Sequence, residues 1–202
     1  MAYFRAIATR ESEASHELKT PKTEHEGTTS MSRSEAVTFK GTPLTLAGDA
    51  VAVGAPGPDF SLTYFEDGFQ SLTNECLKGK PSIISVVPSL DTGVCQIQTK
   101  KFSEELSSLG DQVNAVTVSV DLPFAQGRFC GDEGISNMQT ASDYMDGNFG
   151  AAWGMMIEEL QLLARGVFVV DGEGVVTYAE TVSEVTDEPN YEAAMSALKA
   201  LV

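Results

Sequence analysis

Residues 82–95 read Ser82-Ile83-Ile84-Ser85-Val86-Val87-Pro88-Ser89-Leu90-Asp91-Thr92-Gly93-Val94-Cys95. The first six form a continuous, β-branched, mostly apolar run, the pattern of a central strand buried on both faces. Pro88 has no N–H to give a sheet ladder and ends the strand. Ser89 to Gly93 then make a loop. Apolar spacing predicts a helix from about Thr92 to Leu109, with Val94, Ile97, Phe102, Leu106 and Leu109 on one side. Gly110 is placed to stop it. Val113–Val120 is the next buried strand. Strand, helix and strand in succession begin a layered α/β fold.

Upstream of this unit, Val37–Phe39 and Leu44–Leu46 flank Lys40-Gly41-Thr42-Pro43, the signature of a small β-hairpin. Gly54 to Pro58 is a stiff turn segment. Phe60–Phe65 and Gln70–Leu72 are candidate short strands. Downstream, the stretch between Leu122 and Cys130 reads as a short loop with a helical turn. Gly166–Val170, Asp171-Gly172-Glu173-Gly174 and Val175–Tyr178 spell strand, turn, strand. A last helix is predicted from near Tyr191, with a stripe of Ala194, Met195, Leu198, Leu201 and Val202. The expected fold class is α/β, with a central mixed β-sheet flanked by helices and an N-terminal β-hairpin.

The 202 residues carry a net charge of −16. Residues 1–34 contain five basic side chains (Arg5, Arg10, Lys19, Lys22, Arg33) and five acidic ones (Glu11, Glu13, Glu17, Glu24, Glu26), so the whole imbalance falls on residues 35–202. Those first 34 residues are polar and lack sustained periodicity, which predicts a disordered extension ahead of one domain spanning 35–202. Met31-Ser32-Arg33-Ser34 has the form of a protein start, making Met31 a candidate initiator. An acidic body repels phosphate backbones and anionic lipid, so neither nucleic acid nor membrane is an expected partner. No apolar run is long enough to span a bilayer, and no secretory signal is evident.

Both histidines, His16 and His25, lie in the extension. A Cys–His or Ser–His dyad in the body would therefore lack its base. The three cysteines, Cys76, Cys95 and Cys130, have neither the count of a disulfide framework nor the paired spacing of a zinc site. They fit a reducing, cytoplasmic compartment.

Of the three, Cys95 stands out. It falls in the first turn of a helix that follows a buried strand. There, unpaired backbone N–H groups and the positive end of the helix dipole favour thiolate over thiol. Thr92, three residues earlier, is within hydrogen-bonding reach of the sulfur. Pro88 shields the loop. With no histidine available a cation must assist, and Arg165, one of two arginines in residues 35–202, precedes the strand Gly166–Val170. Taken singly, Cys95 also reads as a small packed hydrophobe and Arg165 as an ion-pair arginine.

Together these segments resemble a family. Pro88 to Cys95 resembles the peroxidatic loop of bacterial thiol peroxidases, the atypical two-cysteine peroxiredoxins. Asp121-Leu122-Pro123-Phe124-Ala125-Gln126-Gly127-Arg128-Phe129-Cys130-Gly131 resembles their resolving-cysteine segment. Leu163-Ala164-Arg165-Gly166-Val167-Phe168-Val169-Val170-Asp171 resembles their arginine-bearing strand, and Val37-Thr38-Phe39-Lys40-Gly41 their N-terminal hairpin. The likeness runs from about residue 36 to the end. Gly166 departs from it, since a small alanine is expected after the arginine.

The resemblance implies a thioredoxin-like fold and a homodimer. It implies that Cys95 is peroxidatic and Cys130 resolving, with Thr92, Pro88 and Arg165 shaping the peroxide site. The expected activity is reduction of hydrogen peroxide and organic hydroperoxides through a Cys95 sulfenic acid and a Cys95–Cys130 disulfide. Thioredoxin is the expected external reductant, with no bound cofactor or metal. Cys76 matches no functional position and reads as a structural or incidental thiol. The alternative is a redox sensor that signals through the same disulfide. A protein disulfide oxidoreductase is disfavoured by the missing Cys-x-x-Cys, and a non-catalytic acidic binding domain leaves two long motifs unexplained.

Overall fold

The computed structural model describes residues 31–202. Residues 1–30 of the expected 1–34 extension, with His16 and His25, lie outside the described residues, whereas Arg33 and Ser34, at its end, already belong to the first strand, where Arg33 Nε donates to Gly48 O. The chain opens with the hairpin of β1 (Arg33–Phe39) and β2 (Thr42–Ala47), followed by a second hairpin, β3 (Ser61–Phe65) and β4 (Phe69–Thr73). A short α1 (Asn74–Leu77) leads into β5 (Ser82–Val86), α2 (Gly93–Leu106), β6 (Asn114–Ser119), α3 (Pro123–Glu133) and β7 (Gln139–Ser142). The last part comprises α4 (Asn148–Ala152), β8 (Met156–Ile157), β9 (Leu162–Leu163), β10 (Gly166–Val170), β11 (Val176–Thr181) and α5 (Tyr191–Lys199).

Seven strands form one mixed sheet in the order β11-β10-β5-β6-β7-β3-β4. At its centre β5 runs parallel to β6 and antiparallel to β10. Every residue of β5 is buried, as its uninterrupted run requires. Ile83, Ala115, Val167 and Val169 face α2, α3 and α5, meeting Phe102, Leu106 and Leu198. Ile84, Val86, Val116, Val118 and Phe168 face the other way. That face is closed by β1-β2-β8-β9, a second sheet of four strands, and by Trp153, which stacks on Phe149 and meets the edge of Phe168 at 4.9 Å. The expected mixed sheet between helices, with its N-terminal hairpin, is the architecture observed.

Several details differ from the sequence expectations. Helix α2 ends at Leu106, short of Gly110, which begins a 3-10 turn over Gly110–Gln112. Ser107 and Ser108 donate their hydroxyls back to the carbonyls of Glu104 and Glu105, competing with the helical ladder. The buried stripe of α2 is Cys95, Gln98, Thr99, Phe102 and Leu106, and Ile97 is exposed. Two polar residues occupy core positions, so a stripe drawn through apolar residues alone falls off the true face. At the C-terminus Val202 is exposed and Leu201 half-buried.

The segment after Leu122 is a full helix, α3, and not a single turn. Pro123 at its first position supplies a fixed φ, and Gly134 closes it in the left-handed conformation at φ 67°. β7, α4, β8 and β9 had no counterpart in the sequence reading. α4 forms because Asp143, itself buried, accepts the backbone N–H groups of Phe149 and Gly150 at 3.0 and 2.8 Å.

Candidate active site

Strand β5 ends at the sheet's centre, and buried Pro88 turns the chain into the loop that delivers Cys95. Cys95 is the third residue of α2, and its thiol is fully buried against Val87, Leu90 and the half-buried Phe129. The first backbone amide to find a partner in the helix is that of Gln96, bonded to Thr92 O at 3.1 Å. Thr92 is the N-cap residue, yet its hydroxyl caps no amide. It lies 2.8 Å from Cys95 Sγ and 3.1 Å from Ser89 O. One hydroxyl proton serves one of these acceptors at a time. It points to sulfur when sulfur is an anion, and to Ser89 O when the thiol itself donates. The N-terminal amides of α2 thus receive no cap from the Thr92 side chain, and Cys95 lies within that first turn, at the positive end of the helix dipole.

Arg165, immediately before β10, is 2% exposed. Its Nε donates to Val185 O at 2.9 Å, Nη1 to Gln98 Oε1 at 2.7 Å and Nη2 to Cys95 Sγ at 3.4 Å. No ion pair among the described residues includes it. No carboxylate lies within ion-pair distance of this buried guanidinium; Glu188, paired to Lys101, acts on it only at longer range, and the Cys95 sulfur is the group that Nη2 meets directly. Gln98 is itself anchored, donating to Ser85 Oγ at 2.9 Å on β5.

The loop is tied down from a second side. Asp121, between β6 and α3, accepts from Ser89 Oγ and from the Leu90 amide, both at 2.7 Å, and from Ser119 Oγ at 2.8 Å. The carboxylate therefore joins the Cys95 loop to the base of the helix that carries Cys130.

The structure brings Thr92, Cys95 and Arg165 together, with Pro88 in the wall. It places Cys130 apart. That thiol lies in the α2–α3–α5 layer with Ile83, Ala115 and Met138. Burial pushes it up, and the hydrogen bond to Thr140 Oγ1 at 3.6 Å offsets this in part. All three cysteines are free. Cys76 is half-buried in α1, 3.9 Å from the Thr73 hydroxyl and remote from this constellation in sequence and sheet position. Among the described residues no cluster of His, Cys, Asp or Glu is placed to hold a metal ion. Gln98, Asp121, Ser89 and Val185 were missed by the sequence reading. Ser89 and Asp121 fall inside the two motifs quoted above without a role assigned to them, Gln98 carried a signal as a polar residue one turn after Cys95, and Val185 carried none.

Comparison with known proteins shows the family and the fold. Residues 52–195 match the Redoxin family model. A thiol peroxidase of Bacillus subtilis (strain 168) is 54% identical over 166 residues, covering 82% of this chain and 98% of that protein. The crystal structure of a peroxiredoxin-like protein from Aquifex aeolicus superposes with a TM-score of 0.76 at 38% identity, covering 83% of this chain and 98% of that one. A thiol peroxidase from Chromobacterium violaceum shares the fold, with a TM-score of 0.73 at 20% identity over 81% of this chain and 95% of its own.

Proposed function

The chain belongs to the Redoxin family and is a thiol-dependent peroxidase, in which we propose that Cys95 is the peroxidatic nucleophile and Cys130 the resolving thiol. The observation that carries the assignment is the buried Arg165 guanidinium, in no ion pair among the described residues and aimed at Cys95 Sγ.

The Cys95 thiolate attacks one peroxide oxygen. The S–O bond forms as the O–O bond breaks, and the second oxygen leaves as hydroxide or alkoxide, taking up a proton. Arg165, Thr92 and the positive end of the α2 dipole lie at the region where that negative charge moves, so the stabilising dipoles are set before the reaction begins. Cys95 becomes a sulfenic acid. Cys130 attacks its sulfur, giving a disulfide and water.

Cys95 and Cys130 occupy different packed clusters, and Phe129 lies against both. Closure therefore requires α3 to unwind locally so that Cys130 can take the place of Phe129. Helix α3 suits this, because Gly127 and Gly131 in its interior each cost about 1 kcal/mol of helix stability. Its C-terminal cap also hangs on the Cys130 carbonyl, which accepts from Ile135 N at 2.9 Å.

A dithiol reductant of the thioredoxin type completes the cycle by exchange. The reaction needs no bound cofactor, because the peroxide supplies the oxidising equivalents and sulfur carries the electrons. The same proposal includes a homodimer and a cytoplasmic location. No helix among the described residues is long and apolar enough to cross a membrane. The redox-sensor alternative is not favoured, given relatives that bear a peroxidase name. Peroxide consumption coupled to thioredoxin, thioredoxin reductase and NADPH tests the reading. Catalytic turnover that disappears in Cys95→Ser is expected, and a single stoichiometric oxidation without turnover would return the sensor.

A further inference from the structure

Cys130 stands in the wall of a cavity of its own. The space, about 400 Å³, lies between α3, the β3–β4 turn, the start of β6 and the loop leading into β7. None of Thr92, Cys95 or Arg165 lines it. Its size is that of a small-molecule site. Val113, Ala115, Ile135 and Met138 give it an apolar lining beside the Cys130 thiol, and exposed Phe65 stands at its side.

The charged groups around this cavity carry one sign, beside neutral polar side chains such as Asn114 and Thr140. Glu66, Asp67 and Asp111 line it, no Lys or Arg does, and none of the ion pairs among the described residues includes these three carboxylates. An apolar chamber bordered by unpaired carboxylates attracts an apolar body that bears a protonated amine. It repels the corresponding acid.

Gly127, Cys130, Ile135 and Met138 belong to α3 and the segment that follows it. They form a wall only while α3 is wound. A ligand that binds the wound state alone stabilises it by the factor 1 + [L]/Kd. We propose that this cavity binds small apolar amines, and that its occupancy slows closure of the Cys95–Cys130 disulfide. The second half rests on Cys130 being the resolving thiol.

Slower closure leaves the Cys95 sulfenic acid exposed to a second peroxide. That peroxide transfers one oxygen to sulfur and departs as water or alcohol, leaving sulfinic acid. Occupancy of the cavity thereby tilts the protein from turnover toward inactivation.

The test uses the full-length reduced protein with 4-phenylbutylamine as probe and 4-phenylbutyrate as its anionic counterpart. Calorimetry should show the amine binding at least about tenfold more tightly than the acid. Quenched-flow mass spectrometry after one equivalent of hydrogen peroxide should show disulfide formation slowed about tenfold at nine times Kd. Excess peroxide should then raise the yield of Cys95 sulfinic acid.

Two variants locate the effect. A Cβ added at Gly127 meets nothing within 4 Å, so Gly127→Leu fills the cavity without backbone strain and should abolish amine binding. Glu66→Gln, Asp67→Asn and Asp111→Asn together should erase the preference for amine over acid. Absence of amine binding at millimolar concentration, equal binding of the acid, unchanged binding in Gly127→Leu, or binding without slower closure would each overturn the proposal. A wild type that forms no Cys95–Cys130 disulfide even without amine overturns the resolving role instead, and the isotherm still decides the site.

Discussion

Nη1 of Arg165 donates a 2.7 Å hydrogen bond to Oε1 of Gln98, and Gln98 is held in turn by Ser85 on β5. The contact fixes the fork of the guanidinium so that Nη2 points at Cys95 Sγ, 3.4 Å away. Gln98 and Cys95 are one turn apart on the same face of α2, so a single helix presents both the nucleophile and the residue that aims its cation. Gln98 is therefore a positioning residue, acting through Arg165.

Gln98→Leu removes that acceptor and leaves a buried guanidinium N–H unpaired. The second-order rate of Cys95 oxidation should fall about 10- to 100-fold, corresponding to about 1.4–2.7 kcal/mol of transition-state stabilisation. Stopped-flow fluorescence of Trp153 offers the measurement. A rate within twofold of wild type would show that the guanidinium needs no guide.

Thr92 forgoes its capping bond to stand 2.8 Å from the sulfur. Thr92→Val keeps the shape and deletes the hydroxyl, and should slow peroxide reduction about tenfold or more, the scale of a hydrogen bond to a charged group. Thr92→Ser should restore most of the rate. Equal rates in the two variants would assign Thr92 a packing role only.

Gly166 is the position where the resemblance leads one to expect alanine, and the structure supplies a reason for glycine. A Cβ there would sit 2.5 Å from the Glu180 carbonyl oxygen and 2.7 Å from Met155 Cε. Met155 can shift, but the carbonyl belongs to β11 and is held in the ladder. Gly166→Ala should cost about 1–3 kcal/mol in urea unfolding, the range of overpacked cores. An unchanged midpoint would mean that β11 yields freely.

Burial raises the Asp143 carboxyl from 3.8 to about 6, with partial relief from the Gly150 and Phe149 amides that it accepts. The folded state thus holds this proton over a window where the unfolded chain has lost it. Asp143's contribution is fully present below about pH 4 and is lost as pH rises through about 6. Measured as wild type minus Asp143→Asn in parallel urea titrations, the difference should fall by about 2 kcal/mol between these limits, after a discount for solvent screening. A flat difference contradicts the assignment.

The sequence carried the layered fold because its decisive signals are local. The buried run Ser82–Val87, the punctuation at Pro88 and the hairpin turn at Lys40-Gly41 each speak for one element. Cys95, Thr92 and Arg165 were legible for the same reason, since each sits at a strand or helix end. Gln98 and Asp121 were not, because their roles exist only once β10 and the Cys95 loop are packed beside them. α3 was under-read because its two glycines lower helix propensity, which tertiary packing overrides. β8 and β9 are two-residue strands, defined only by partners distant in the chain.

Intact-mass analysis of wild type, Cys95→Ser and Cys130→Ser after one equivalent of hydroperoxide, without reductant, tests the central assignment most directly. The wild type should lose two hydrogens, the mass of an intramolecular disulfide. Cys130→Ser should gain one oxygen or pair between molecules through Cys95, and Cys95→Ser should not react on that timescale. A Cys95→Ser protein oxidised as fast as wild type would show that Cys95 is not the nucleophile.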